Sequence, residues 1–193
     1  MKKGLIAVVV LVALGLLCLS KYNALVNKEE AVTSAWSQVE NVYQRRADLI
    51  PNLVNTVKGY AAHEKSTLEA VVSARSRATQ ITVDPQNLTE EQLLKYQQTQ
   101  GELASALGKL LAITENYPEL KANENFMELQ HQLEGTENRI AVERKNFNEV
   151  AQDYNTTIRR FPTNIVASVC GFERKAYFQA QEGAEKAPKV SFE

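Results

Sequence analysis

Histidine and carboxylate pairs are the residues whose spacing comes nearest to a metal or catalytic site. Glu128 and His131 form a Glu-x-x-His pair, which places both side chains on one face of a helix. A di-iron site in a helical bundle needs two such pairs and two further glutamates. The other histidine, His63, has Tyr60 three residues before it instead of a glutamate. We therefore expect Glu128 and His131 to lie on a solvated helix face.

Other catalytic motifs are missing from the sequence. His63 and Glu64 lack the second histidine of a zinc-protease helix. There is neither a glycine-rich phosphate loop nor a Gly-x-Ser-x-Gly nucleophile motif. Cys18 and Cys170 are too few for a cysteine-rich zinc module. The sequence predicts no enzyme, no cofactor and no metal site.

Two adjacent arginines are the best candidates for binding another protein segment. Arg45 and Arg46 precede Asp48, and guanidinium groups bind carboxylates through paired hydrogen bonds. They lie beside Pro51, where we predict a helix kink or break with Asp48 capping the next helix. The arginines would bind a carboxylate of another helix or of a partner, and pairing at a helix end within the chain is the simpler interpretation. The candidate partner-binding residues are Arg45, Arg46 and Asp48.

Two further features concern packing. Residues 136–140, Thr-Glu-Asn-Arg-Ile, concentrate polar groups in a helical seam. Buried polar groups of this kind can fix the register of a bundle at a cost in stability, and we favour that interpretation here. Trp36 is the sole tryptophan and lies in an apolar stripe near the N-terminus. We expect it to pack inside the protein and not to anchor at a membrane surface.

Apolar residues recur at alternating spacings of three and four along most of the chain, which predicts amphipathic helices. One stripe covers residues 22–43 and a second covers residues 50–75, with Pro51 at the start of the second. The second stripe ends before Asp84 and Pro85.

A capping box formed by Thr89 and Gln92 marks the clearest helix start in the chain. The seam of that helix runs over residues 93–117. The next helix begins near Asn123, and its apolar positions repeat every seven residues. These positions are Phe126, Leu133, Ile140, Phe147, Tyr154 and Phe161.

The C-terminal part of the chain predicts a short helix and a flexible tail. The short amphipathic helix lies between Phe161 and Phe178, around Gly171, and residues 183–193 form the tail. The apolar positions of this short helix are Ile165, Val169, Phe172 and Ala176. No window alternates with period two, so the protein is predicted to be all-α. Short loops between long helices predict an elongated antiparallel up-and-down bundle behind an N-terminal transmembrane helix.

The amino-acid composition restricts the kinds of molecule that this protein can bind. The 193 residues include 22 basic and 23 acidic side chains, and the formal net charge is -1. No excess of positive charge is available for a nucleic-acid surface. Hydrophobic residues make up 44% of the chain, with only 5 prolines and 8 glycines. A chain of this kind buries a core and forms long helices.

The N-terminus predicts a membrane anchor. Residues 4–19 carry no charge. Their length of roughly 16 residues lies between that of the apolar core of a signal peptide and that of a transmembrane helix. We predict that they form an uncleaved anchor in the lipid bilayer, with cleavage after Ser20 as the alternative. Lys2 and Lys3 make the N-terminal flank positive, which predicts that the body lies outside the cytoplasm. The expected organisation is an anchor at 1–20, a bundle at 21–182 and a tail at 183–193.

Several long, non-periodic stretches of the sequence are similar to the LemA family. In the first half they are residues 22–26, 45–54 and 58–64, and in the second half 117–123, 136–140, 154–155, 161–162 and 171–172. The resemblance implies a bacterial membrane protein with one N-terminal helix and an antiparallel bundle, and it implies no reaction, cofactor or substrate. It also implies the opposite orientation to the one that the flanking charges predict, and we retain the charge argument.

The leading functional hypothesis is a membrane-anchored scaffold or interaction protein of the bacterial envelope, in the cytoplasmic membrane, whose partner is an unknown membrane or envelope protein. A homo-oligomer is possible, and nucleic acid is not an expected partner. The first alternative is a self-assembling protein that remodels membranes, with the helix between Phe161 and Phe178 as a second lipid contact. The second alternative is a di-metal carboxylate enzyme built around Glu128 and His131.

Overall fold

The computed structural model describes residues 2–179, which contain six helices and no strand. The helices are α1 (Lys2–Tyr60), α2 (Lys65–Gln80), α3 (Glu90–Thr114), α4 (Pro118–Lys121), α5 (Glu124–Arg159) and α6 (Thr163–Cys170). Residues 171–179 follow α6 without regular secondary structure, and we call them the strap. The predicted tail at 183–193 lies outside the described residues. The prediction of an all-α bundle behind an N-terminal transmembrane helix is confirmed.

The anchor and the bundle share one helix. α1 has 59 residues and is therefore about 88 Å long at 1.5 Å per residue. All side chains from Lys3 to Ser20 are exposed, and α1 is the one helix within residues 2–179 that is long and apolar enough to cross a membrane. The buried face of α1 begins at Leu25. The predicted boundary between residues 20 and 21 therefore falls inside a continuous helix.

The predicted break at Pro51 is wrong. α1 continues through Pro51 to Tyr60, and Asp48 lies inside the helix instead of capping a new one. Proline has no N–H, so it leaves the carbonyl of Ala47 without its usual helical donor. The Nε of Arg75, on α2, donates a hydrogen bond to that carbonyl at 2.7 Å. This side chain replaces the lost backbone donor, and the chain turns only after Tyr60.

α1 and α5 form the antiparallel spine of the body. Three polar contacts join α1 to α5 or to its N-cap residue, Asn123, in reverse order along the two helices. These contacts are Lys28 with Asp153, Arg46 with Glu137, and Tyr60 with Asn123. α5 has 36 residues and is about 54 Å long, so the pair extends over the whole body.

α2 and α3 form a second antiparallel pair. Arg77 of α2 contacts Glu102 of α3 at 3.1 Å. The predicted capping box is confirmed: the backbone N–H of Gln92 donates to the Thr89 hydroxyl at 3.2 Å, and the backbone N–H of Thr89 donates to the Gln92 side chain at 3.3 Å. The predicted seam of α3 is buried up to Thr114, where the helix ends.

The core consists of two apolar clusters. The proximal cluster, near the anchor, includes Leu25, Trp36, Val39, Tyr43, Leu93, Tyr96, Ile140, Phe147, Tyr154, Val166 and Phe178. The distal cluster includes Ile50, Leu53, Val57, Leu68, Val71, Leu103, Leu107, Leu110, Phe126 and Leu133. Between them lie three buried polar residues, Arg46, Gln100 and Thr136, one from each of α1, α3 and α5. We call these three residues the polar layer.

The prediction for the C-terminal helix is partly wrong. α6 ends at Cys170, and Gly171 has a φ of 76°, a left-handed conformation that glycine adopts without strain and that commonly ends a helix. The predicted apolar positions Ile165 and Val169 are exposed, and Val166 is buried in their place. Phe161 is 81% exposed because α5 ends at Arg159, so the seven-residue repeat does not continue to position 161.

Truncation of a seam leucine tests the register of the distal cluster. Leu107→Ala should lower the free energy of unfolding by about 2 to 5 kcal/mol, because Leu107 is buried and its loss leaves a cavity. Denaturant unfolding of the full chain in detergent, followed by helical circular dichroism, measures this change. Leu94→Ala on the same helix is the matched control, because Leu94 is 44% exposed and its truncation should change stability little. Equal losses for the two variants would contradict the register.

Candidate functional site

The guanidinium of Arg46 is the centre of the polar layer. Arg46 is only 2% exposed, and its Nη1 donates to Glu137 on α5 at 2.8 Å. Its Nη2 donates to the side-chain oxygen of Gln100 at 2.7 Å and to the Gln100 carbonyl at 3.1 Å. The charge also lies over the ring of Tyr43, 5.1 Å from its centroid. A buried charge is tolerated only when it is paired and hydrogen-bonded in this way.

Gln100 extends this network to α2. Its side-chain nitrogen donates to the carbonyl of Ala78 at 3.2 Å. Thr136 completes the layer and donates its hydroxyl proton to the carbonyl of Gln132, one turn earlier on α5, at 2.7 Å. The hydrogen bonds of Arg46 and Gln100 therefore join α1, α2, α3 and α5 at one level of the bundle.

The structure separates the three predicted partner-binding residues. Arg45 and Asp48 are exposed on the outside of α1, and Asp48 accepts a hydrogen bond from the Gln44 side chain at 2.7 Å. Arg46 points inward and binds the carboxylate of Glu137, so the first of the two predicted roles, pairing with another helix, is the observed one. Of these three residues, Arg45 and Asp48 are accessible to a partner and Arg46 is not.

The polar stretch at residues 136–140 contributes to the same centre. Thr136 and Ile140 are buried, and Glu137 lies at the rim with its side chain 45% exposed. A register error of one residue between α1 and α5 would move Glu137 away from Arg46. The ion pair between Arg46 and Glu137 is therefore the contact through which this stretch would fix the register, as predicted for it.

The candidate metal ligands lie apart from this centre. Glu128 and His131 are exposed on α5, and Glu128 accepts a hydrogen bond from Gln132 at 2.7 Å. The Nδ1 of His131 is 4.0 Å from Glu134 of the same helix. His63 lies exposed in the turn after α1. Among residues 2–179, no three histidine, cysteine, aspartate or glutamate side chains are grouped so that they could hold a metal ion.

Trp36 packs inside the protein, as predicted, and it lies at the centre of an aromatic cluster. Its side chain is fully buried. The ring centroids of Tyr96, Phe147 and Phe178 lie 5.2, 5.6 and 5.9 Å away from that of Trp36. The last of these contacts is stacked, and it places the end of the strap in the proximal cluster.

A buried lysine in the strap was not predicted. Lys175 is 4% exposed, and its Nζ lies 2.8 Å from a carboxylate oxygen of Glu29 on α1. The Nζ also donates to the carbonyl of Gln86, in the loop between α2 and α3. One residue of the strap therefore joins α1 to this loop. No periodicity marks Lys175, but the glycine at 171 signals that the helix ends before it.

Two asparagines of α5 hold the strap through its backbone. The side chain of Asn155 accepts from the N–H of Lys175 at 2.9 Å and donates to its carbonyl at 2.8 Å. The side chain of Asn148 makes the same pair of hydrogen bonds with Phe178, at 2.8 and 3.0 Å. Because the two asparagines lie seven residues apart on α5, both face the strap. A segment without secondary structure thus obtains the backbone partners that burial requires.

Burial also changes the acidity of two tyrosines beside the polar layer. Tyr43 and Tyr96 lie with their rings 5.4 Å apart, and both are almost completely buried. Burial raises the pKa of Tyr96 well above its usual value, since the charged phenolate is poorly solvated there. Burial likewise raises the pKa of Tyr43, against the opposing effects of Arg144 and Arg46.

Comparison with known proteins decides the family. The model of the LemA family matches residues 35–192, which include the polar layer, the aromatic cluster and the strap. The chain belongs to the LemA family. The family resemblance of the sequence stretches is thereby confirmed.

Curated relatives match most of this LemA family chain. It is 30% identical to the magnetosome protein MamQ of Magnetospirillum gryphiswaldense, over 93% of this chain and 72% of the relative. It is 29% identical to the magnetosome protein MamQ 2 of Paramagnetospirillum magneticum over the same shares. The protein LemA of Metamycoplasma hominis is 29% identical over 83% of this chain and 69% of the relative.

Neutralising one carboxylate tests the ion pair of the polar layer. Glu137→Gln keeps the shape and the acceptor but removes the charge that faces Arg46, and it should destabilise the protein by about 1.5 to 3 kcal/mol. Denaturant unfolding of the full chain measures the loss. Arg139→Gln, an exposed change two residues away, is the control and should leave stability nearly unchanged. If the two variants unfold alike, the ion pair does not support the bundle.

The buried tyrosines predict a loss of stability in alkali. The raised pKa values in the folded state mean that their contribution is complete below the ordinary tyrosine pKa of 10.0 and is lost as pH rises beyond it. The free energy of unfolding should therefore fall above about pH 10. In the variant Tyr43→Phe, Tyr96→Phe that fall should be smaller, whereas Tyr22→Phe, a change at a tyrosine that is 42% exposed, should retain it. Identical pH profiles would refute this assignment.

Proposed function

We propose that this LemA family member is a single-pass, membrane-anchored scaffold of the bacterial envelope that presents its bundle to a protein partner. The observation that carries this proposal is the continuity of α1, which runs from the apolar anchor into the centre of the bundle. Without a flexible linker between anchor and body, the orientation of the bundle relative to the membrane is restricted. A scaffold requires such a restriction, whereas an enzyme on a tether does not.

The dimensions of the body support this role. Residues 21–60 of α1 form a helix of about 60 Å, and α5 lies antiparallel along it. A rod of this length carries its far end, at Tyr60 and Asn123, well beyond the lipid headgroups. The exposed surface between the two ends is long enough to meet another envelope protein.

The flanking charges support the cytoplasmic membrane as the location, with the body outside the cytoplasm. Lys2 and Lys3 precede the apolar stretch, and the positive flank of a span stays in the cytoplasm. After the stretch, Lys21 and Lys28 are offset by Glu29 and Glu30.

The names of the relatives agree with a scaffold. Two are named for a cellular structure, the magnetosome, and one is named for the family. None of these three names refers to a reaction. The action proposed for this chain is therefore binding to another protein.

Arg45 and Asp48 are the proposed contact residues for the partner. Both are exposed on the same turn of α1, near the middle of the body. Arg46 supports this surface from inside, because its contacts to α3 and α5 fix the position of α1. Charge-assisted hydrogen bonds from Arg45 would favour a partner with an exposed carboxylate.

Crosslinking in intact membranes tests the scaffold. The full chain at native abundance, crosslinked and analysed by mass spectrometry, should yield one other envelope protein, and Arg45→Ala should reduce that product several-fold. Arg139→Ala, another exposed arginine on the body, is the control and should leave the product unchanged. Recovery of self-links alone would contradict the proposal and favour the self-assembling, membrane-remodelling alternative.

A further inference from the structure

α6 carries an unpartnered apolar stripe. Phe161, Ile165 and Val169 are 81%, 55% and 82% exposed, and they are spaced four residues apart, which places them on one side of the helix and of its entry turn. The opposite side of α6 is buried, with Val166 and Ala167 packed in the proximal cluster. α6 is therefore fixed to the bundle by one face and presents the other to its surroundings.

An aromatic contact directly after α6 defines the position of α6 along α1. The rings of Tyr22 on α1 and Phe172, directly after α6, lie 5.7 Å apart at centroid distance. Leu25 belongs to the same apolar cluster as Val166. α6 therefore lies beside the first turns of α1 that follow the anchor.

The length of the anchor places those turns at the bilayer surface. Residues 4–19 span about 24 Å, whereas the hydrocarbon core of a bilayer is about 30 Å thick. The missing length corresponds to about four residues, so residues 20–23 are needed to reach the far boundary. Tyr22 then lies at the boundary between the hydrocarbon core and the headgroups, the interface at which tyrosine is enriched in membrane proteins. α6, which lies at the same height, is brought into contact with lipid.

The charges around the stripe fit an anionic surface. Arg159 and Arg160 are exposed at the end of α5, directly before the stripe, and Arg174 is exposed after it. Glu173 is the acidic neighbour in this set and is also exposed. Arginines beside an apolar face are typical of helices that lie in the plane of a membrane, because their long side chains reach the phosphates while the apolar side chains enter the acyl boundary.

We propose that α6 is a second membrane contact, which lies in the surface of a bilayer that contains anionic phospholipid. Phe161, Ile165 and Val169 enter the boundary between headgroups and acyl chains, and Arg159 and Arg160 bind lipid phosphates. One spanning helix leaves the body free to rotate about that helix, and a second contact removes this freedom. This inference goes beyond the scaffold and holds whether or not a protein partner exists.

Spin-label accessibility in proteoliposomes tests the contact. The full chain with Cys18→Ala and Cys170→Ala receives a single nitroxide at Val169→Cys and is reconstituted in equal parts of phosphatidylcholine and phosphatidylglycerol. The ratio of accessibility to oxygen over accessibility to a water-soluble nickel chelate reports depth. The control label is Val72→Cys in the same background, since Val72 is an exposed valine of α2, in the distal half of the bundle. We expect a ratio several-fold higher at position 169 than at position 72.

A charge in the stripe should lift α6 out of the lipid. Ile165→Glu should lower the ratio at the label on position 169 towards the control value. Val142→Glu should leave it unchanged, because Val142 on α5 is 54% exposed, nearly the same as Ile165. Circular dichroism of each variant verifies that the bundle is folded.

Two results would overturn the proposal. Equal ratios at positions 169 and 72 would show that α6 is in water. A label at 169 that is shielded from both reagents, with spin–spin broadening that disappears on dilution with unlabelled chain, would show that a second copy covers the stripe.

Discussion

A single buried guanidinium organises the bundle. Arg46 lies between two apolar clusters and binds the side chains of Gln100 and Glu137, while Gln100 binds the backbone of α2. Apolar seams of this length tolerate sliding, because leucine packs against leucine in several registers. A charge with fixed partners does not, since any shift leaves it buried and unpaired. The polar layer thus converts a non-specific apolar interface into one with a single alignment.

The sequence predicted the helices from their periodicity and caps, but not the way in which α1 passes Pro51. A proline that follows a capping residue such as Asp48 is typical of a helix start, and this local preference is real. The outcome was decided by Arg75, which lies on another helix and donates to the carbonyl that proline leaves open. A donor 28 residues away in sequence gives no signal in a local window, so only the tertiary structure could reveal it.

The candidate site was predicted only in part, because its contacts also join residues that are far apart in the sequence. Arg46 was identified as a carboxylate binder, and the polar stretch at 136–140 as a register element, but the sequence alone could not pair them. The strap was missed altogether, because Phe172 and Ala176 continue a helical spacing that the left-handed turn at Gly171 interrupts. Periodicity records which residues are apolar and does not record whether the backbone between them is still a helix.

The position of the strap in the chain has a consequence for the order of assembly. The distal cluster uses residues no later than Leu133, so its parts are all present once less than a third of α5 has been synthesised. The proximal cluster needs Phe178 to cover Trp36, and Lys175 to neutralise Glu29. During synthesis, the half of the body that lies farthest from the lipid can therefore close first. The half beside the membrane remains open until the strap has been synthesised and packs over Trp36.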